Sequence, residues 1–361
     1  MLRGPEWPDY VNPILPANVD PDMNPWGQSR TGSRVIQWLE STDLMLKATV
    51  YLLAWIGFLV AAVAFAARFV PVINHTVLIV AALSPYLVIG TGAFALLLLL
   101  AQRSWWAVGP ALLCAAALAV QLPLYFSSGR TPPDSVAIRV LTANLHGAAD
   151  PEALANVARR DADLLVVQEL TPELAASLDR LGLDSDFPYR AVEARRGAAG
   201  VGLWSRYPIT GSSRDARYEL GLLTASLRVP GTSADTIVLA VHLVGPWPQR
   251  IDGWRGEVSR LPENLRAAAT MAGAGAVVAA GDFNATIDMQ PFRRLLRDGY
   301  TDAVDQSGAG FTPTFPANRS VPPLIGIDHI LTLNSTASEL RTVRIPGSDH
   351  LGLAAVIKVP K

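Results

Sequence analysis

The pattern of apolar and polar positions divides the chain into three unlike stretches. Between Ala48 and Phe126, long apolar runs carry almost no charge. From Val136 onward, short apolar or β-branched runs alternate with segments whose apolar residues recur at helical spacing. Ahead of both, Met1 to about Ser33 is rich in Pro, Asn and Gly and has no hydrophobic period, which predicts a flexible head.

Three of the central runs meet the length of about 20 apolar residues needed to cross a bilayer. They are Ala48 to Ala67, Val77 to Ala101, and Trp105 to Phe126, the last with aromatic residues at both ends as at a membrane interface. A signal peptide does not fit, because the first run follows a long head carrying Asp and Glu. Arg30, Arg34, Lys47 and Arg103 fall on one side of the three spans, and Arg68 and Arg130 on the other. That bias predicts a multi-pass protein of the cell membrane, with a cytoplasmic N-terminus and an extracytoplasmic C-terminal domain. The division expected is a head over 1–45, a membrane domain over 46–127, a linker over 128–135 and a folded domain over 136–361. Cys114, the single cysteine, lies in the third span, so the folded domain has no intrachain disulfide.

Within that domain the strand candidates are "VAIRVLTANL", "ADLLVVQEL", "GVGLWSRYPI", "LTASLRVP", "DTIVLAVHLV", "AVVAAGDFN", "IGIDHILTL", "LRTVRIP" and "GLAAVIKVP". Helices are expected after Asp150 and Thr171 as N-caps, and over "LPENLRAAATMA" and "MQPFRRLLRDG". Such mixing predicts a layered α/β or α+β domain.

Asn144, Glu169, His242, Asp282 with Asn284, Asp328, and Asp349 with His350 each fall near a strand end or between strands. Alone, each has an ordinary reading as a turn residue, a solvated charge or a core histidine. Together they supply three kinds of chemistry. Glu169, Asp349 and the Asn144 amide oxygen suit a hard divalent cation, and no cysteine or His-x-x-x-His helix favours zinc. Histidines protonate leaving oxygens or donate to anions near neutral pH. Asp282 and Asn284 can hold and polarise a water molecule. The set describes metal-assisted hydrolysis of a phosphate ester.

The ordered motifs "LTANL", "VVQEL", "GLWSRYP", "VHL", "GDFN", "GIDHIL" and "SDH" closely resemble the endonuclease/exonuclease/phosphatase superfamily, which includes the DNase I-like enzymes. The resemblance covers roughly 136–360. It implies a four-layer sandwich, with two mixed β-sheets packed face to face and helices outside. It further implies a metal site of Glu169, Asn144 and Asp349 that takes Mg²⁺, with Mn²⁺ as the alternative ion. By the same resemblance, Asp282 orients water and Asn284 holds phosphate or water. His350 contacts the scissile phosphate with Asp328 orienting it, and His242 lies near the leaving group. One departure is His146, where some relatives carry an acid, which argues against a second metal.

From Val136 on, acidic residues only slightly outnumber Lys and Arg, which leaves no strong electrostatic footprint for duplex DNA. About ten residues separate the last span from the first strand, a reach of at most roughly 35 Å, so the domain sits close to the bilayer. The segment Leu243 to Trp254, with Trp247 and Trp254, is a candidate to dip into the headgroup layer. The expected function is a membrane-anchored hydrolase of a phosphate ester, with lipid-linked or envelope phosphate as leading substrate and membrane lipids as partners. The alternatives are an extracytoplasmic nuclease and a catalytically dead binding protein.

Overall fold

A computed structural model describes residues 30–129, 134–318 and 320–361. The first 29 residues of the expected head, and Arg130 of the charge count, lie outside the described residues.

Three helices are long and apolar enough to cross a membrane. The first, α1 (Arg30–Ala67), begins well upstream of the expected boundary at 46. At 1.5 Å per residue its 38 residues span about 57 Å, more than the roughly 30 Å of a hydrocarbon core. The second apolar run, expected over 77–101, is broken in two. A short α2 (His75–Ala82), capped by Asn74, precedes α3 (Ser84–Ala101), which carries Pro85 in its first turn. Proline lacks the N–H that would continue the earlier helix, so the chain breaks at Leu83. The third membrane-length segment contains α4 (Val108–Gln121), extended by one 3₁₀ turn at each end. Small residues let these helices approach closely: Ala54, Ala61 and Ala64 of α1 are fully buried, and a Cβ added at Gly57 would lie 3.0 Å from the Thr91 carbonyl oxygen.

The folded domain then runs β1 (Ser135–Asn144), α5 (Pro151–Asp161), β2 (Leu164–Gln168), α6 (Pro172–Arg180), α7 (Leu183–Asp186), β3 (Tyr189–Glu193), β4 (Val201–Ser205), β5 (Ile209–Arg214), β6 (Gly221–Leu227) and β7 (Thr236–His242). It continues through α8 (Ile251–Ala272), β8 (Val277–Asp282), α9 (Gln290–Leu295), β9 (Thr301–Asp302), α10 (Ala303–Ser307), β10 (Asp328–Leu333), β11 (Thr336–Arg344) and β12 (Leu351–Pro360). Two mixed six-stranded sheets result, ordered β11-β12-β1-β2-β4-β3 and β5-β6-β7-β8-β10-β9. The expected N-caps hold: Asp150 accepts from Glu152 and Ala153, and Thr171 from Leu174. The edge strands β3 and β5 carry more exposed polar positions than the central ones, which weakens their apolar signal; neither was expected.

Central strands are buried on both faces and therefore read as continuous apolar runs. Successive side chains still point to opposite sides. In β7, Val238 and Ala240 enter the core between the sheets, whereas Ile237, Leu239 and Val241 pack outward under α8 and α9. On the other sheet, Ile138 and Val140 point inward, while Leu141 and Ala143 pack against α5 and α6.

The outer layer under α8 and α9 also contains Ala67, Val72, Leu78 and Ala81, so α2 and the end of α1 share one core with the folded domain. The short connection after α4 is pinned as well: Ser128 N donates to Asp305 O (3.2 Å) and Gly129 N to Gln306 O (3.1 Å). The long apolar helices therefore join the domain through a packed junction. Trp254 belongs to that core rather than to a surface loop. Helix α8 starts ten residues before the expected "LPENL", and the Trp254 side chain is fully buried with its Nε1 donating to Phe283 O (3.4 Å).

Candidate active site

Strand phase brings the polar residues together. Residues 138 and 140 of β1, 238 and 240 of β7, 278 and 280 of β8, and 330 of β10 all point between the sheets. Two-residue periodicity carries the same inward direction to Asn144, His242, Asp282 and Asp328. The register aligns them at one end of the sandwich: Asp282 pairs with His242 on one side and with Asp328 on the other. Asp328 begins β10 rather than ending a strand, and because β10 is antiparallel its start lies at the same end. His329 is one residue out of phase and points outward, where its Nδ1 bonds Asp302 (2.7 Å) and its Nε2 bonds Ala285 O (2.9 Å). This buried packing replaces the surface turn that "DH" alone would suggest.

Gly281 makes the alignment feasible. Its φ is +147°, and an added Cβ would stand 1.9 Å from the Val241 carbonyl oxygen. Only glycine lets β8 run so close to β7 there.

Asn144 donates through Nδ2 to Asp282 Oδ2 (3.0 Å) and to Glu169 Oε1 (3.3 Å), and its Oδ1 accepts from His146 N (2.9 Å). It thereby ties the two carboxylates. Glu169, His146 and Asn284 all adopt positive φ, at +55°, +49° and +48°. Non-glycine residues in this region are characteristic of sites held by their surroundings. His146 Nδ1 lies 3.2 Å from Asp349 Oδ1 and 4.0 Å from Glu169 Oε2, so the two carboxylates converge beside one imidazole. Burial pushes the Glu169 carboxyl above its usual range, against the hydrogen bond from Asn144.

Asp282 accepts from the Asn284 backbone (2.8 Å), and the Asn284 amide reaches Leu243 O (2.9 Å). Burial raises the Asp282 carboxyl, with His350 opposing and Asp328 adding to the rise. His350 Nδ1 bonds Asp328 Oδ2 at 2.8 Å, which leaves Nε2 3.9 Å from Asp282 Oδ2. Burial works against its imidazolium, but the Asp328 and Asp282 carboxylates outweigh burial and hold the pKa high. His242 differs. Burial, followed by the charge of His350, lowers it to about 3, so it is neutral, and its Nδ1 makes no hydrogen bond.

Two supporting residues were not foreseen. Ser348 Oγ donates to Asn144 O (2.6 Å) and accepts from His350 N (2.9 Å), joining the end of β1 to the "SDH" turn. Thr314 Oγ1 accepts from the backbones of Ile327 and Asp328 (3.2 and 3.3 Å) and fixes the start of β10. A serine two residues before a turn histidine was the available signal for Ser348; Thr314 sits in an irregular segment and had none.

Among the described residues, Asp282, Asp328 and His350 each bring a ligand-capable atom within 4.8 Å of the others. That trio is already closed by the His350–Asp328 hydrogen bond. The better fit to a cation is the neighbouring oxygen set, because Asp349 Oδ1 is buried without a hydrogen-bond partner beside Glu169.

Residues 141–350 match the model of the Endonuclease/Exonuclease/phosphatase family. Among solved structures, the chain is similar to a humanized D. rerio TDP2 carrying 14 mutations, at TM-score 0.51 and 17% identity over 61% of this chain and 98% of that one. D. rerio TDP2 complexed with a single-strand DNA product gives 0.50 and 16%, over 61% and 98%. A functionally unknown conserved protein from Enterococcus faecalis V583 gives 0.51 and 16%, over 61% and 99%. No curated protein matches the chain. With more than half its length matched by the family model, and with the two-sheet sandwich those structures share, the chain belongs to the endonuclease/exonuclease/phosphatase family of phosphoric ester hydrolases.

Proposed function

We propose that the protein is a membrane-anchored, extracytoplasmic, Mg²⁺-dependent hydrolase whose substrate is a phosphate ester carried by a membrane lipid. The observation that carries the substrate assignment is the attachment of the loops after His242 and before Asp328 to the N-terminal helical segment, through α2 and α3. The loop after His242 is held by His75, whose Nε2 lies 3.0 Å from Pro246 O and 3.1 Å from Gln249 O and whose ring packs edge-on against Trp247. The loop before Asp328 is held by Tyr86, which donates to Leu324 O (2.7 Å) and packs against Phe311. Trp247, Val321 and Leu324 remain exposed on these loops, as do Phe69 and Ile73 on the connection between α1 and α2. Such a rim suits a headgroup layer, where amphipathic aromatic residues settle.

Sidedness is supported by charge. Arg34, Lys47 and Arg103 lie toward the end of the helix bundle away from the domain, and Arg68, at the domain end, is buried in an ion pair. The positive-inside tendency then leaves the domain outside.

Glu169 and Asp349 would hold the cation with the Asn144 amide beside them, and the bound ion would supply charge neutralisation at the phosphoryl oxygens. Asp282 orients the attacking water, and Asn284 steadies the water or a phosphate oxygen. His350, locked by Asp328 through Nδ1, presents Nε2 as a proton-bearing donor to the phosphate. His242 stays neutral and completes the floor of the site.

The test uses the full chain in nanodiscs with Mg²⁺, offered polyprenyl phosphate and pyrophosphate in one arm and single- and double-stranded DNA in another, with phosphate release and strand cleavage as readouts. Lipid hydrolysis is expected. Efficient DNA cleavage with inert lipids would overturn the substrate assignment, and inactivity of Asp282→Asn and His350→Gln on every substrate would separate true hydrolysis from contamination.

A further inference from the structure

We propose that the membrane helices are a positioning part of the active site, acting through Asp288 on the loop that follows Asp282 and carries Asn284. This rests on the reading that Asp282 and Asn284 handle the attacking water. Asp288 lies four residues beyond Asn284 and is only 3% exposed. Two membrane helices converge on its carboxylate. Arg68, one residue past α1 and 5% exposed, forms an ion pair with it, and Gln121, the last residue of α4, donates to its Oδ1 at 3.1 Å. Arg293 completes the junction by donating to Ile287 O (2.8 Å) and to the Arg68 carbonyl oxygen.

An anchor alone does not need these groups. The junction already buries Ala67, Val72, Leu78 and Ala81 against the domain. Desolvating a charged pair returns little net stability unless its geometry is well satisfied, and an apolar pair would hold the surfaces together as well. A charged, directional contact adds one fixed register between the end of α1, the end of α4 and the chain just after Asn284. Ala285 O, in the same loop, is held from the other side by His329. The loop therefore has supports within the domain, from His329 and Arg293, and a further one supplied by the membrane segment. Arg68, Gln121 and Asp288 are positioning residues, since none of them belongs to the reacting set.

The experiment measures kcat and KM of the full chain in nanodiscs with bis-p-nitrophenyl phosphate, a soluble ester that makes no demand on a lipid surface. Arg68→Gln, Asp288→Asn and their double variant form a mutant cycle, with thermal unfolding followed in parallel. Each single variant is expected to lower kcat at least tenfold with KM within about threefold of the parent. The double variant should lose no more than the worse single, because both remove one contact. Gln121→Leu removes one hydrogen bond and leaves the ion pair, so it reports even if the charge variants fail to fold; a two- to fivefold fall in kcat at an unchanged melting temperature is expected. Variants that lose thermal stability yet keep the parent kcat, or a Gln121→Leu enzyme with unchanged kcat, would overturn the proposal. Asp282→Asn, run alongside, tests the underlying reading separately: if it stays active, the assignment of the water-handling loop is wrong rather than its support.

Discussion

Asp282 and Glu169 are both carboxylates at strand ends, and their surroundings set them apart. Asp282 is buried between His350, Asn144 and the Asn284 backbone, with no exposed oxygen to spare for a solvated ion. Glu169 turns through a left-handed conformation toward Asp349 and keeps partial access to solvent. Different failures are therefore expected. Asp282→Asn keeps the shape but removes the charge proposed to orient water, and kcat should fall by about 10²–10⁴-fold with little change in the Mg²⁺ activation curve. Glu169→Gln should move the Mg²⁺ activation curve to higher concentration by about 10–100-fold. Titrating Mg²⁺ against initial rate for both variants checks the assignment, and a shifted curve for Asp282→Asn with an unshifted one for Glu169→Gln would reverse it.

At the scale of elements, the closest approach between β7 and β8 governs the site. Gly281→Ala would drive a methyl group into the Val241 carbonyl, and no rotamer relieves a clash made by Cβ itself. A loss of roughly 3 kcal/mol or more is expected, seen as poor accumulation or a much lower melting temperature. Helix α10 gives a milder and pH-dependent case. Burial, with added repulsion from Asp302, raises the Asp305 carboxyl to about 6. A carboxyl whose folded pKa exceeds its unfolded value binds its proton more tightly in the folded state. Its contribution to stability is therefore complete below about pH 4 and is lost as pH rises through about 6. Asp305→Asn should raise the melting temperature by a few degrees at pH 7.5, with the gain vanishing by pH 4. Melting curves at the two pH values decide it, and an equal gain at both would show that ionisation is not the cause.

At the scale of the whole molecule, the junction between the apolar helices and the domain is the feature with most consequence. A domain cut free before Val136 would lose the covering of Ala67, Val72, Leu78 and Ala81 and leave Asp288 without Arg68. The same junction holds the exposed Trp247 against His75 of α2. Trp247→Ala should lower the rate on lipid phosphate in vesicles several-fold while leaving the soluble ester unaffected. Equal losses on both substrates would assign Trp247 to folding of the loop instead.

The sequence by itself determined much of this. Long uncharged runs require a bilayer or an equivalent apolar surrounding, and Asp150 and Thr171 cap helices wherever the helices pack. The ordered "QE", "GDFN" and "SDH" segments place their polar residues at ends of apolar runs, so the members of the candidate site were legible before the distances between them. Tertiary structure decided the rest, because it depends on contacts between residues far apart in the chain. Whether the α2 that Pro85 splits off lies on the domain depends on the surface that receives it. The phase that sends Asp328 inward and His329 outward follows from the pairing of β10 with β8. The meeting of Gln121 with Asp288, 167 residues apart, leaves no local trace, since a glutamine at a helix end and an aspartate in a turn are each at home alone. Local periodicity reports which face of an element is buried, and only the fold specifies what it is buried against.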